Sequence, residues 1–358
     1  MTTAELSAPA AWRVADLQDR SWIFALDAAS SAQLASAVKS AFDPERPLFD
    51  YSRKDFDFRA LPFLRAAAHE AHHGRGLALI KNLPRAALSE AEFHILTWGI
   101  GLHLGVPRPQ GKATQYISEV RDVGTDYRSA GGRGFSSNAR LDFHADGADI
   151  AALACFNKAQ SGGQSMVSSS VTAREILVAE RPDLAEVAHQ DFYFSRQQEE
   201  TEDETPAYGQ PLFDICEGHV FGKWNRNRVQ SAQKIPGVPQ LSSQQRETMD
   251  TMDAILQRAD VMFTMWLEPG DLQLINNHTM LHSRTDYVDF EEPERKRLLH
   301  RLWLAPPDSV RLPESWGDFY RSIEPGTVRG GIRGHCHDDT CKAFERRQAQ
   351  DHGMPTPG

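Results

Sequence analysis

After about residue 110 the chain breaks into short runs of aliphatic, aromatic and β-branched residues, and this texture most narrows what it can fold into. Ile150–Phe156, Ser165–Ser169, Val261–Trp266, Leu272–Asn276 and Arg297–Leu304 are each of strand length, with Gly, Pro and Asn punctuating the intervals. Two helical stretches interrupt them. Val171–Glu180 stops before Arg181-Pro182-Asp183, and Ser242–Arg258 opens on Ser242 or Ser243 and carries spaced apolar residues. The pattern predicts a mainly β core with flanking helices (α+β), a β-sandwich or jelly roll.

The N-terminal part has a different texture. Ser31–Phe42, Leu64–His73 and Ser89–Leu104 carry Ala, Leu and charge at helical spacing, and Ser89 is followed by Glu90 and Glu92 as at a helix start. Between them the apolar run Gly76–Ile80, closed by Asn82-Leu83-Pro84, reads as a buried strand. No internal repeat and no domain-separating linker is visible, so one domain is expected: a helical cap over 1–75, a jelly-roll core over 76–310 and a partly flexible extension over 311–358.

A net charge of −10 leaves no broad basic surface for nucleic acid or an anionic membrane. Met1–Trp12 lacks the basic start and apolar run of a secretory signal, and no stretch approaches the roughly 20 apolar residues that span a bilayer. A cytoplasmic protein is expected. Cys155 and Cys216 lie in apolar strand-like runs and are expected as free thiols. His335-Cys336-His337-Asp338-Asp339-Thr340-Cys341 invites a metal reading but matches no zinc spacing, and a flexible polar tail is expected there. Gln197–Glu204 holds the acids Glu199, Glu200, Glu202, Asp203 and Glu204 with no apolar residue, which reads as a solvated loop tip or, alternatively, a lid over a site.

Three elements carry chemistry. In Leu141–Gly147 alternation puts Asp142, His144 and Asp146 on the face opposite Leu141, Phe143 and Ala145, so His144 and Asp146 suggest ligands aimed into a barrel mouth. In Asp271–Thr285 a strand runs into a polar turn expected to present His282 as a third ligand. His278, four residues earlier, lacks the glutamate of a helical zinc motif and reads as supporting or structural. In Arg295–Leu304 alternation places Arg295, Arg297, Leu299, Arg301 and Trp303 on one face. Inward arginines need carboxylates to meet them, and Arg297 and Arg301, roughly 13 Å apart at about 3.3 Å per residue, should serve different groups.

Together these elements resemble the taurine dioxygenase and clavaminate synthase-like (TauD/TfdA) iron(II)/2-oxoglutarate oxygenases, over about Gly74–Pro306. The resemblance rests on His144-x-Asp146, a distant His282 after an Asn-rich strand, and Arg297-x-x-x-Arg301. It implies a double-stranded β-helix (cupin-like jelly roll), with Fe(II) held by His144, Asp146 and His282, and 2-oxoglutarate as cosubstrate with O₂. Arg297 would then meet the distal carboxylate of 2-oxoglutarate, and Ser165, where threonine is frequent, would help to hold it. Arg301 would be free for a substrate anion or the metal-proximal end of the cosubstrate. Because Asp146 is present, the halogenating variant of the family is not expected. The implied reaction is oxidation, by default hydroxylation, of an unactivated C–H bond, with succinate and CO₂ released. Arg301 and Arg140 suggest a small anionic or zwitterionic substrate, amino-acid-like or another carboxylate, and Arg121 and Lys223-Trp224-Asn225-Arg226 are further pocket candidates. A homodimer is compatible with the resemblance. Two rivals remain: a zinc hydrolase or lyase on the same three ligands, which leaves Arg297 unexplained, and a non-catalytic β-sandwich that binds partners.

Overall fold

Leu77, Ala78, Leu79 and Ile80 form a continuous apolar run because both faces of their strand are covered: Leu77 and Leu79 pack into the interior of a barrel, while Ala78 and Ile80 pack under helices. The computed structural model describes residues 9–125 and 134–355. Ten strands form the barrel: β1 (Ile23–Ala25), β2 (Leu77–Lys81), β3 (Val106–Arg108), β4 (Ile117–Val120), β5 (Ile150–Asn157), β6 (Ser165–Ser169), β7 (Phe263–Met265), β8 (Leu272–Asn276), β9 (Met280–Arg284) and β10 (Leu298–Ala305). The larger sheet runs β1-β2-β8-β5-β10-β3, with β4 also on β10, and the smaller runs β7-β6-β9. All pairings are antiparallel except β1 with β2. β8 and β9 are consecutive yet lie in opposite sheets, so Asn277–Thr279 is a corner of the expected double-stranded β-helix.

Helices α1 (Ala28–Ala41), α2 (Leu61–His73) and α3 (Glu90–Leu104) cover the outer face of the larger sheet. Ser89 caps α3 in a capping box with Glu92. This helix is apolar nearly all round because it is buried nearly all round, and a Cβ on Gly101 would come within 2.5 Å of Leu302 Cδ1. The insertion between β6 and β7 carries α4 (Ser170–Glu180), α5 (Pro182–Ala188), α6 (Arg226–Ala232) and α7 (Ser243–Leu256), besides two β-ribbons. None of the described helices is long and apolar enough to cross a membrane.

Two expectations about the ends change. The N-terminal part is not only a helical cap: β1 joins the larger sheet, and Ser169 and Thr172 donate their hydroxyls to the carbonyls of Ala10 and Trp12. The C-terminal extension is not a loose tail. After the short α8 (Gly317–Tyr320), a strap pairs Gly331 with Gly147 and Ile332 with Pro109, and α9 (Asp339–His352) follows, capped by Asp338. Phe344 stacks on Phe49 at 4.5 Å and Trp98 at 5.4 Å, and Glu345 meets Arg108 at 2.8 Å and the Tyr116 hydroxyl at 2.6 Å. Apolar Cys341 and Phe344, spaced by one turn among polar residues, are the signal of this docked face. Residues 1–8 of the cap and 356–358 of the extension lie outside the described residues.

Candidate metal and cosubstrate site

Leu141–Gly147 forms no regular strand. His144 makes isolated β-bridges to His282 on one side and Asn225 on the other. His144 N–H donates to the His282 carbonyl at 3.0 Å, and the His144 carbonyl accepts from His282 N–H at 2.9 Å. His282 therefore lies in the middle of β9 and not at a turn: the chain turns earlier, at the corner Asn277–Thr279. Phe143 and Ala145 pack in the core, leaving His144 and Asp146 on the cavity side.

The three side chains converge. Nε2 of His144 lies 4.0 Å from Asp146 Oδ1, Nε2 of His282 lies 3.7 Å from Asp146 Oδ2, and the imidazole centroids are 4.4 Å apart. These separations exceed a hydrogen bond but are within about twice a metal–ligand bond of ~2.1 Å, the spacing of groups around one ion. Protonation fits as well. Burial, then the neighbouring His144, pushes His282 down to about 3, and burial also lowers His144, so both imidazoles are neutral donors at pH 7. Burial opposes ionisation of Asp146, but Arg301, the two histidines and Trp303 outweigh it and hold the carboxyl at about 2.

Neighbours fix these ligands. Nδ1 of His144 faces the Asp142 carbonyl at 2.9 Å, which turns Nε2 inward. Trp303 Nε1 donates to Asp146 Oδ2 at 2.9 Å, and the Asp146 N–H donates to Asn277 Oδ1 at 2.9 Å. Arg301, expected to be free for a substrate or cosubstrate anion, is engaged: Nη1 lies 3.4 Å from Asp146 Oδ1, and Nε donates to Gln110 Oε1 at 2.8 Å.

Arg297, Leu299, Arg301 and Trp303 line one cavity with the metal trio, as alternation predicts, whereas Arg295 lies in a 3₁₀ turn and is exposed. The Arg297 side chain is buried, with Nη1 at 3.4 Å from the Val120 carbonyl and the Tyr287 ring at 5.0 Å. No described carboxylate lies within ion-pair distance of it. Gly163 turns the chain beside Arg297 with a positive φ that glycine adopts without strain. Ser165 lines the same end and donates to Gln273 Oε1 at 3.1 Å, while the buried Gln273 Nε2 has no partner among the described residues. A buried guanidinium without a carboxylate, next to a serine hydroxyl, fits the carboxylate end of a dicarboxylic cosubstrate.

Other candidates fall elsewhere. Arg140 is exposed, faces Gln257 Oε1 at 3.2 Å and does not line the cavity, which corrects its expected substrate role. Arg121 pairs with Glu119 and Glu90, and Trp224 and Arg226 turn to Asp253, while Lys223 and Asn225 do line the cavity. The acidic run is a solvated tip only at Glu202 and Asp203. Glu199 is 2% exposed, lines the cavity and pairs with Arg228 at 2.9 Å, and Glu204 meets Arg321 and Arg333 at 3.2 and 3.1 Å. Cys336 and Cys341 join no metal-competent group among the described residues. His278 bonds to Asp149 at 2.9 Å in a buried network with Arg329, bracing the β8–β9 corner. Arg284, Phe319 and Ile332 also line the cavity and had no local signal, since the last two come from the extension.

Comparison with known proteins agrees with this geometry. The family described as taurine catabolism dioxygenase TauD, TfdA family matches residues 42–303. The chain belongs to this family. It is a 2-oxoglutarate-dependent dioxygenase that works with iron. "FR-33289 synthase" of Streptomyces rubellomurinus (strain ATCC 31215) is 30% identical over 86% of this chain and 93% of its own. "Taurine hydroxylase-like protein SAT17" of Stachybotrys chartarum (strain CBS 109288 / IBT 7711) is 24% identical over 69% of this chain and 67% of its own. Among solved structures, an asparagine oxygenase in complex with Fe(II), 3-hydroxyasparagine and succinate has TM-score 0.58 and 15% identity, covering 79% of this dioxygenase and 93% of that chain. The non-heme iron oxygenase OrfP in complex with Fe and alpha-ketoglutaric acid has TM-score 0.55 and 16% identity, covering 79% and 94%.

Proposed function

We propose that His144, Asp146 and His282 hold the iron(II) of this dioxygenase, that Arg297 and Ser165 hold 2-oxoglutarate, and that the enzyme hydroxylates an unactivated C–H bond of a small amino-acid-like or other anionic molecule, releasing succinate and CO₂. The observation that carries the reading is the sharing of one cavity by the three converging donors and the buried, carboxylate-free Arg297. Iron bound there supplies open coordination positions for cosubstrate and O₂ and the oxidising power for C–H cleavage.

The protein's own groups orient and exclude. Arg297 grips a distal carboxylate and sets how far the cosubstrate reaches toward Asp146. Trp303 and Arg301 keep the Asp146 carboxylate ionised and in one orientation. Leu153, Leu267 and Leu299 keep the cosubstrate end of the cavity dry, limiting side reactions. An amino-acid-like substrate is supported by the asparagine oxygenase and by the OrfP structure with L-homoarginine, which share this fold. A cytoplasmic location suits the free thiols of Cys155, Cys216, Cys336 and Cys341.

Anaerobic addition of Fe(II) and then 2-oxoglutarate tests the assignment. The weak visible band of the chelate is expected in wild type and absent or strongly altered in Asp146→Ala. No band in wild type, together with no binding of 2-oxoglutarate by calorimetry, would overturn it.

A further inference from the structure

Lys223 is a buried lysine lining the site whose Nζ has no ionic partner among the described residues. It lies on the segment that pairs with the metal-binding stretch. His144 bridges Asn225 in antiparallel sense, and Ala145 N–H donates to the Trp224 carbonyl at 3.0 Å. Carried two residues further, this register sets Lys223 across from Asp146. Trp224 points to Asp253, and its neighbours Lys223 and Asn225 point into the cavity, as alternation requires.

The side chain of Lys223 is enclosed, with the residue 4% exposed and Nζ 4.8 Å from the centre of the Phe319 ring. Among the described residues Nζ has no hydrogen-bonding or ionic partner. Two of the other cavity cations meet a carboxylate, and Arg284 meets only backbone carbonyls among the described residues. Arg228 pairs with Glu199, Arg301 with Asp146 and Gln110, and Arg284 donates to the carbonyls of Ser137 and Ala139. Arg297 is assigned to the cosubstrate in the reading above. An enclosed ammonium without an anion is costly, and burial together with Arg228 pushes this amine down to about 7 against the opposing pull of Asp146. A lysine kept in such a place has a ligand to meet.

We propose that Lys223 anchors an acidic group of the substrate, a carboxylate, sulfonate or phosphonate, seated on Nζ beside the metal trio so that a C–H bond at fixed distance from that group faces the iron. The inference rests on the oxygenase reading and deepens it. It moves substrate recognition from Arg301 and Arg140 to a residue whose neighbours Phe319 and Arg228 come from the C-terminal extension and the insertion.

The test uses the Fe(II)- and 2-oxoglutarate-loaded protein without O₂, and follows the chelate band while pentanoate, butanesulfonate, butylphosphonate or uncharged pentanamide is added. At least one anion is expected to bind, and to bind more tightly than pentanamide. Lys223→Met should weaken that anion by at least about tenfold, as loss of one charge-assisted contact implies, with Lys223→Arg intermediate. The anion that binds best identifies the acidic group. Affinity for 2-oxoglutarate should stay within about twofold, because its carboxylate is met by Arg297. The Tm of Lys223→Met should not fall, since it removes an unpaired buried charge.

The proposal is overturned if no anion binds, if pentanamide matches the acids, if Lys223→Met binds the anion like wild type, or if the variant loses 2-oxoglutarate instead. If wild type forms no chelate band, the oxygenase reading is what has failed. Calorimetry of the same anions on the iron-free protein, wild type against Lys223→Met, then decides the role of Lys223 separately.

Discussion

Trp303 donates its indole N–H to Asp146 Oδ2 at 2.9 Å, tying the last inward residue of β10 to the carboxylate of the metal trio. The same strand face carries Arg301 and Leu299, with Arg297 just before it. One run of alternating residues thus carries both the support for Asp146 and the buried Arg297 proposed to meet the cosubstrate. Trp303→Phe keeps an aromatic side chain and removes the donor, so iron(II) affinity should fall by about 10- to 100-fold. An iron titration followed by the chelate band measures this, and unchanged affinity would show that Trp303 only fills space.

Arg297 is buried with no carboxylate of its own, so its removal should be felt by the cosubstrate and not by the metal. Arg297→Ala is expected to raise the KM for 2-oxoglutarate by about 100-fold or more, the scale of losing one side of a buried charge pair. Arg297→Lys should fall between, because an ammonium cannot form the bidentate fork. Equal loss of iron binding in both variants would contradict the division of roles.

Acid should destabilise the metal-free protein through the same histidines. His282 titrates at about 3 in the fold against 6.5 for an ordinary imidazole, because burial and then His144 oppose its charged form. On acidification the unfolded chain takes up this proton first. The stability His282 contributes is therefore complete above pH 6.5 and is lost as the pH falls toward 3. Asp146, lowered from 3.8 to about 2, adds loss of the same sign further into acid. Tm measured across this range should fall more steeply in wild type than in His282→Gln, and parallel curves would exclude the imidazole as the source.

The C-terminal helix is predicted to be part of the fold's stability. Phe344, 1% exposed between Phe49 and Trp98, should cost about 3–5 kcal/mol on truncation to Ala. Urea unfolding measures it, and a loss under 1 kcal/mol would mean about as little packing as an exposed residue has.

Arg140→Ala should leave turnover and the KM for 2-oxoglutarate within about twofold of wild type, since surface changes away from such features seldom exceed 0.5 kcal/mol. A large loss would return Arg140 to the site.

What could be read from the sequence was local. Ser89 with Glu92, and the Ser242-Ser243 pair, place helix starts within one residue, and Ser165–Ser169 and Leu272–Asn276 are strands over those bounds. Alternation put His144 and Asp146 on one side and Arg297, Leu299, Arg301 and Trp303 on another, because the two-residue period of a strand is written in neighbouring residues.

Partnership was not local, and only the tertiary structure decided it. Arg301 turns to Asp146, 155 residues away, and Arg140 faces outward although it lies four residues from His144. Glu199 is buried against Arg228, and a tail that reads as polar docks through Cys341 and Phe344. Whether a charge is solvated, paired or left waiting for a ligand depends on what other strands and loops bring within a few ångströms, and periodicity carries no record of that. The sequence by itself determined the chemistry available, two imidazoles, a carboxylate and inward arginines on a β scaffold. The packing of the insertion and the extension over the barrel mouth decided which cations meet a carboxylate, as Arg228 and Arg301 do, and which, such as Lys223 and Arg297, meet none among the described residues.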